Sequence, residues 1–339
     1  MMPVKFTTSE SELSLTQMIM TLTQEHGSEL SKNMIIRFCL ESPSKDIQKK
    51  GMEYLFINGY FKELEMLIQK NLESDNPSNR LWGSIYRIMF DQTIRKDNPN
   101  VTLQKIKQFT DRYSTSEPEL LFLLDLIEEK SYHLLCQFDR IGKLMVTYQQ
   151  YFSNIEERFI LNSFKIRVYK INIYYHIVRN ELIMARKYAY RTLNMVDSSL
   201  THAIVHTYLG VSYTFDTYEK GMPHLQKALE ISKELGMKYL IDILENYNIP
   251  FMAAHFNRVD NITSNYIGAQ AHIEIAKGNN EKAIQLLNEI PDKNPFQLYY
   301  LGKAKKDKSI LIQSYNHFIE KRSDFFFSKL PMNAYKELD

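Results

Sequence analysis

Residues 271–291, AHIEIAKGNNEKAIQLLNEIP, decide how the rest of the chain is read. Ala271 places a small residue on one helix, and Gly278-Asn279-Asn280 interrupts it. Ala283, Leu287 and Ile290 then lay a small-large-apolar stripe along a second helix that Pro291 stops. The spacing predicts one antiparallel helix hairpin. A single hairpin cannot bury both of its apolar faces, so neighbours must stack on it. Ala283 falls where the two helices come closest, and a larger side chain there costs on the order of 1–3 kcal/mol by overpacking.

The spacing from small residue through turn glycine to second-helix alanine resembles the tetratricopeptide repeat, a helical pair with a period of about 34 residues. The same grammar runs outward in both directions. A long helix over 155–179 is answered by 181–196 through Ala185, Ala189 and Leu193. A helix over 201–215 carries Leu209-Gly210 and Tyr213, and 218–235 answers with Leu225 and Ala228. Residues 246–261 depart from this regularity. After the 271–291 hairpin, one more unit carries Leu301-Gly302 on its first helix and Ser314 and Phe318 on its second. The expected fold is all-α, a right-handed superhelical solenoid of tetratricopeptide-like hairpins. The concave face of such a stack suits the recognition of a peptide or another protein.

The amino-terminal part is less regular. Four short helices are expected over 9–75. Ser11 caps the first, in which Leu15, Met18, Ile19 and Leu22 recur until His26-Gly27 ends it. The second covers 31–40, with Met34, Ile35, Phe38 and Leu40. Pro43-Ser44 opens the third, which carries Met52, Leu55 and Phe56 and closes at Asn58-Gly59, and the fourth is 61–72 with Leu64, Met66, Leu67 and Leu72. Beyond the Asn76-Pro77 turn a helix carrying Trp82 in its core stripe runs to Lys96, and helices over 101–113, 119–137 and 138–151 come next. The expected division is a flexible 1–8, degenerate repeats over 9–151, regular repeats with the groove over 152–322, and a segment over 323–339 whose Phe325-Phe326-Phe327 and Leu330-Pro331 cap the last repeat.

Composition narrows the function. With 339 residues, a net charge of +2 and 44% hydrophobic residues, the chain has apolar surface for a continuous core and no concentrated basic face for nucleic acid. The amino-terminal helix pairs do not suit a DNA-reading helix, because their second helices are apolar or acidic, as at Glu63 and Glu65. Lys303, Lys305, Lys306 and Lys308 are interrupted by Asp307 and read as a solvated helix end. Cys39 and Cys136 form no CxxC pair and read as buried small hydrophobes in a reducing cytoplasm. The start has no signal-peptide core, and the apolar run 120–124 is too short for a membrane span, so a cytoplasmic protein is expected. No phosphate loop, dinucleotide fingerprint or nucleophile elbow is present, and neither enzyme activity nor a cofactor is expected. His202 and His206 share a helix face, but without an intervening glutamate or a third ligand no metal is expected. Tyr169, Tyr174, Tyr175, Tyr188 and Tyr190 read as core, with a pocket lining as the alternative for some of them.

Several segments carry a resemblance that is more specific. They are FILNSFKIRV at 159–168, NEL at 180–182, YLGVSY at 208–213, the Gly278-Asn279 hairpin, FQLYYLG at 296–302, Ser323-Asp324 and Leu330-Pro331. On these, residues 30–335 resemble the phage arbitrium receptors, the AimR-like peptide-sensing regulators of the lysis-lysogeny decision. The resemblance implies a receptor in the bacterial cytoplasm that closes around a short secreted peptide and thereby changes its grip on DNA. In that family a helix-turn-helix domain precedes the repeats; the first residues here match the segment after that domain, so the DNA-reading part is expected to be absent. Tyr174, Val178, Leu200 and Val211 stand where the family clamps its peptide with asparagines and an arginine, with Thr214 on the same lining. Asparagine donates and accepts together, whereas valine and leucine do neither. Asp324 matches an aspartate that can hold a cationic peptide group, and Phe326 supplies apolar contact beside it. The partner implied is a short peptide or a regulatory protein. A homodimer is possible, but the chain stops short of the final helix through which the family dimerises, so the resemblance does not imply one. The alternatives are a DNA-binding regulator of the same family and a repeat scaffold working through protein contacts alone.

Overall fold

The computed structural model describes residues 13–338, apart from the side chains of 27–29 and 143–146. Among the described residues every regular element is helical. The chain forms two compact units, Met1–Ser131 with Thr147–Lys165, and Tyr132–Val146 with Ile166–Asp339. This partition interleaves around 132–165, where the sequence suggests one cut near 151.

The first unit draws on α1 (Leu15–Glu41), α2 (Lys45–Asn58), α3 (Phe61–Leu72), α4 (Pro77–Thr93), α5 (Pro99–Arg112), α6 (Pro118–Leu134), the end of α7 (Phe138–Phe152) and the start of α8 (Arg158–Val178). The expected break at His26-Gly27 does not occur: α1 continues through it, so three helices stand where four are expected. Ser11 lies outside the described residues. The cap is Ser14, whose hydroxyl accepts from the Gln17 amide while the Gln17 side chain accepts from the Ser14 amide. Gly59 ends α2 at φ 80°, a left-handed cap that glycine adopts without steric cost. Asn76-Pro77 and Asn98-Pro99 each place a capping side chain before a proline at the first turn. Inside, Glu53 is fully buried and accepts from Tyr86 at 2.7 Å and from Ser163. Trp82 is core as expected, and its indole N–H donates to Glu117 at 2.8 Å.

The second unit continues with α9 (Leu182–Met195), α10 (Ser199–Ser212), α11 (Tyr218–Glu234), α12 (Lys238–Ile243), a π-helical turn (Leu244–Asn248), α13 (Ile249–His255), α14 (Ile267–Ala276), α15 (Asn280–Asn288), α16 (Pro295–Lys305), α17 (Lys308–Asn316), a second π-helical turn (His317–Lys321) and α18 (Lys329–Lys336). The 271–291 hairpin is α14 and α15, joined through Gly278 at φ 83°, with Ala271, Ala283 and Leu287 wholly buried. The small residues act by close approach. A Cβ on Gly210 would lie 2.5 Å from Leu225, and one on Gly302 would lie 2.9 Å from Leu311. Where the sequence is irregular, α12, the π turn and α13 run on without a break. The Asn246 side chain there accepts from the Asn265 amide at 2.9 Å, its carbonyl from Ser264 at 2.8 Å, and so ties down the next loop.

The tail does more than cap. Its α18 packs on α16 and α17, with Leu330 and Ala334 in the cluster of the last repeats. Ahead of it the chain turns back to α8: the amides of Phe325 and Phe326 both donate to the Val178 carbonyl, at 2.8 and 3.1 Å. Phe326, wholly buried, then enters the cluster of Ile173, Ile177, Ala185, Ala189, Val205 and Leu209. Burying such a side chain contributes about 1.5–3 kcal/mol.

Candidate ligand-binding site

The second unit brings the first helices of its hairpins together on one face. Residues i and i+4 of a helix lie on the same side, so Tyr174 and Val178 of α8 point the same way, as do Phe251 and His255 of α13. The face carries half-buried aromatics that touch from helix to helix. Tyr174 meets His133 at 4.0 Å, Phe138 at 5.2 Å and Tyr208 of α10 at 5.5 Å between ring centroids. Phe215 stands edge-on to Phe326 at 5.0 Å and to His255 at 5.8 Å. Phe251 reaches His272 at 5.6 Å and Phe296 and Phe327 at 5.8 Å. Edge-to-face contacts dominate, which fixes ring orientation more tightly than area alone.

The residues expected from sequence do not all stand alike. Tyr174, Val178, Asp324 and Phe326 are brought together, although α8 and the tail are far apart in sequence. Val211 lies half-buried against the Phe326 cluster. Val178 is 1% exposed and gives its backbone, rather than its side chain, to the tail. Leu200 is buried at the start of α10, and Thr214 is wholly buried with its hydroxyl donating to the Val211 carbonyl at 2.8 Å. Asp324 is 2% exposed; it accepts from the Phe327 amide at 2.9 Å and makes no ion pair among the described residues. Burial pushes its carboxyl up to about 7, against the opposing pull of the Phe327 amide and Arg322. Burial, with Asp324 nearby, also holds the Tyr174 hydroxyl well above its usual range. The site is therefore an apolar wall with one acidic group short of a positive partner.

Sequence reasoning misses the other half of this face. Lys303, assigned to solvent with its neighbours, is half-buried; only Lys305 and Lys306 are exposed. Its spacing from Phe296 and Tyr300, seven and three residues back, puts it on the inward side of α16, a signal masked by the surrounding lysines. The Lys303 ammonium is depressed by burial, and with burial it holds His255 down to about 4 and His272 well below its ordinary value. His272 is 1% exposed, stacks on Tyr300 at 4.2 Å, and has no hydrogen-bond partner at either ring nitrogen.

The remaining constellations resolve as structure. His202 bonds the Val196 carbonyl at 2.7 Å, and His206 pairs with His224, Nδ1 to Nδ1 at 2.9 Å, rather than with His202. Among the described residues no three His, Cys, Asp or Glu side chains could hold a metal ion. Of the five tyrosines, Tyr174 lies beside Asp324 of the tail and Tyr188 packs on the Phe326 cluster while pairing with Tyr169 at 5.6 Å; Tyr190 bonds Tyr213, and the Tyr175 ring lies against Gly142. Cys39 is buried as expected, but Cys136 is only half-buried, at φ 56°. No described helix is long and apolar enough to cross a membrane.

Comparison with known proteins bears on the family and the fold. The pattern of a family described as AimR transcriptional regulator-like matches residues 31–337. The AimR transcriptional regulator of Bacillus phage phi3T is 23% identical over 340 residues, covering 96% of this chain and 86% of its own. An uncharacterised protein of Bacillus anthracis is 27% identical over 189 residues, 52% of this chain and 69% of its own. Among solved structures, phAimR with ligand superposes with a TM-score of 0.82 at 20% identity, over 98% of this chain and 100% of the other. Selenomethionine phAimR gives a TM-score of 0.66 at 19% identity, over 95% and 85%. These two share the helical-repeat fold.

Proposed function

The chain belongs to the AimR transcriptional regulator-like family, and from that premise we propose that it is a cytoplasmic receptor in phage lysis-lysogeny control. Its second unit takes a short peptide against the face around Tyr174, Val211, Asp324 and Phe326. The observation that carries this reading is Asp324: a buried carboxyl, beside an aromatic wall, with backbone amides and the pull of Arg322 but no ion pair among the described residues. Leaving such a group uncompensated is costly, and a guanidinium or ammonium on the ligand supplies the missing charge. Val178, Leu200 and Thr214 shape the wall from behind. With Val178, Leu200 and Val211 in place of polar clamps, the peptide is held mostly through apolar contact, so the preferred ligand has one cationic residue among apolar ones.

The test is calorimetry on the full chain, using short peptides identified by mass spectrometry in material co-purified from infected cells. Binding at micromolar or better affinity, weakened at least tenfold by Asp324→Asn, is the expected result; unchanged affinity in the variant removes Asp324 from the site. A second reading, action through a protein partner, draws on the outer side of α9, where Ile183 is 86% exposed with Met184, Tyr190 and Met195 also exposed. A stable protein partner recovered with no peptide would favour that reading.

A further inference from the structure

Helix α9 buries one side and leaves the other uncovered. Ala185, Ala189 and Thr192 face inward, whereas Ile183, Met184, Lys187, Tyr190, Arg191 and Met195 are all exposed. At about 100° per residue these six fall within a sector of about 140°, so they form one continuous stripe along the helix. Lys187 and Arg191, one turn apart, run along its middle. Ile183 and Tyr190 flank them on one side, Met184 and Met195 on the other. No Asp or Glu lies between Leu182 and Val196. Glu181, ahead of the helix, is engaged by His176 at 2.6 Å and Arg179 at 2.9 Å, and Asp216 by Arg186 at 2.6 Å. Lys187 and Arg191 make no ion pair among the described residues. The Arg191 guanidinium lies 5.0 Å from the centre of the Tyr169 ring, which orients it without neutralising it.

Charge and shape select the occupant. Two cations are too few for a phosphate backbone, which engages roughly 6–10, and the apolar flanks gain nothing from phosphates. Among the described residues there is no strand, and so no sheet edge for an extended chain to join. A helix laid along α9 covers both apolar rows at once. We propose that the outer stripe of α9 docks an amphipathic helix of a partner protein, one carrying two acidic residues a turn apart between apolar rows. The acids meet Lys187 and Arg191, and the apolar rows cover Ile183 and Tyr190 on one side and Met184 and Met195 on the other. The assignment rests on the protein-partner reading and gives that partner a chemistry; it does not depend on a peptide at Asp324.

The test uses the full chain and a fluorescein-labelled, stapled helical peptide of roughly 16 residues, with Glu at positions i and i+4 and Leu on either side of them. Anisotropy should show saturable binding. It should weaken at least tenfold in the double variant Lys187→Glu with Arg191→Glu, in Ile183→Ser, and when the peptide carries Gln in place of Glu. Asp324→Asn should leave it unchanged, as should Lys107→Glu with Lys305→Glu, two exposed lysines elsewhere whose exchange alters net charge equally. A peptide with Lys in place of Glu should bind the Lys187→Glu, Arg191→Glu chain better than the parent. No saturable binding, or binding indifferent to both charge exchanges, overturns the proposal. So does binding of phosphatidylglycerol vesicles or duplex DNA, abolished by the double variant while the peptide stays unbound, which gives the face to a membrane or to nucleic acid. Self-association lost in Ile183→Ser gives it to a second copy and overturns the proposal likewise. A protein co-purified with the parent chain and still retained by the double variant overturns the α9 assignment and leaves the protein-partner reading intact. Peptide bound as expected, with no protein co-purified, counts against that reading and leaves the docking face standing.

Discussion

Phe326 shows how one side chain can hold distant parts of a repeat array. It fills a space walled by α8, α9 and α10, and its own amide, with that of Phe325, is anchored on Val178. Truncation leaves a cavity that the rigid helices around it collapse into only partly. Phe326→Ala is therefore expected to cost about 3–5 kcal/mol, read as a lowered midpoint in urea denaturation with little change in slope. Amide exchange at Phe325 and Phe326 should quicken in the same variant, because the latch has lost its packing. A loss below about 1 kcal/mol would mean that the tail is held by α18 alone. The residue is legible in sequence as an apolar tail contact; its address on α8 is not, since no local pattern encodes a contact across so much chain.

At the scale of elements, local rules are legible wherever they are strong. Caps at Ser44, Asn76 and Asn98, the glycine stops at Gly59 and Gly278, and the close approaches at Gly210 and Gly302 all stem from short-range sterics and hydrogen bonding. They fail where tertiary packing overrides them: Gly27 lies inside a helix that its neighbours sustain, and the irregular region from Asn246 stays helical as far as His255 through a π turn stabilised by Asn246. The inward turn of Lys303 is hidden for a different reason, because charge pattern says nothing about which lysine of a cluster faces the core. One cap gives a clean measurement. Asn294 forms a reciprocal pair with Gln297 at the start of α16, the helix that carries Tyr300 and Lys303. Asn294→Ala should lower stability by about 1 kcal/mol in thermal unfolding, while Asn294→Ser retains most of it.

For the molecule as a whole, the buried histidines and Asp324 set opposing responses to pH. His206 and His255 are held down to about 4 by burial, and His272 well below its ordinary value, against about 6.5 in an unfolded chain. The unfolded chain then binds more protons than the native one below pH 6.5, so their contribution falls as pH drops from there towards 4. Asp324, raised to about 7 from an unfolded value near 3.8, does the reverse: its contribution is largest in acid and falls as pH rises through 7. Each group changes stability by at most about 1.4 kcal/mol per pH unit, and solvent screening reduces the share of the half-exposed His206. His224 and His317 are lowered by burial as well, and Glu129 (to about 8), Asp125 and Glu119 are raised by it, so among the described residues five lowered histidines face four raised acids and the melting temperature should decline between pH 6.5 and 4.5. Asp324→Asn should steepen that decline, and His272→Phe should flatten it; a flat profile in the parent chain would count against the neutral histidines.

The anchoring of Phe325 and Phe326 on Val178 also bears on how the chain is made. A ribosome releases α8 to α10 long before it reaches Phe326, so the nascent repeats emerge with an unfilled apolar socket and a spare carbonyl. Their final packing waits until the segment around Phe326 has been made, and until then the socket is open to chaperones.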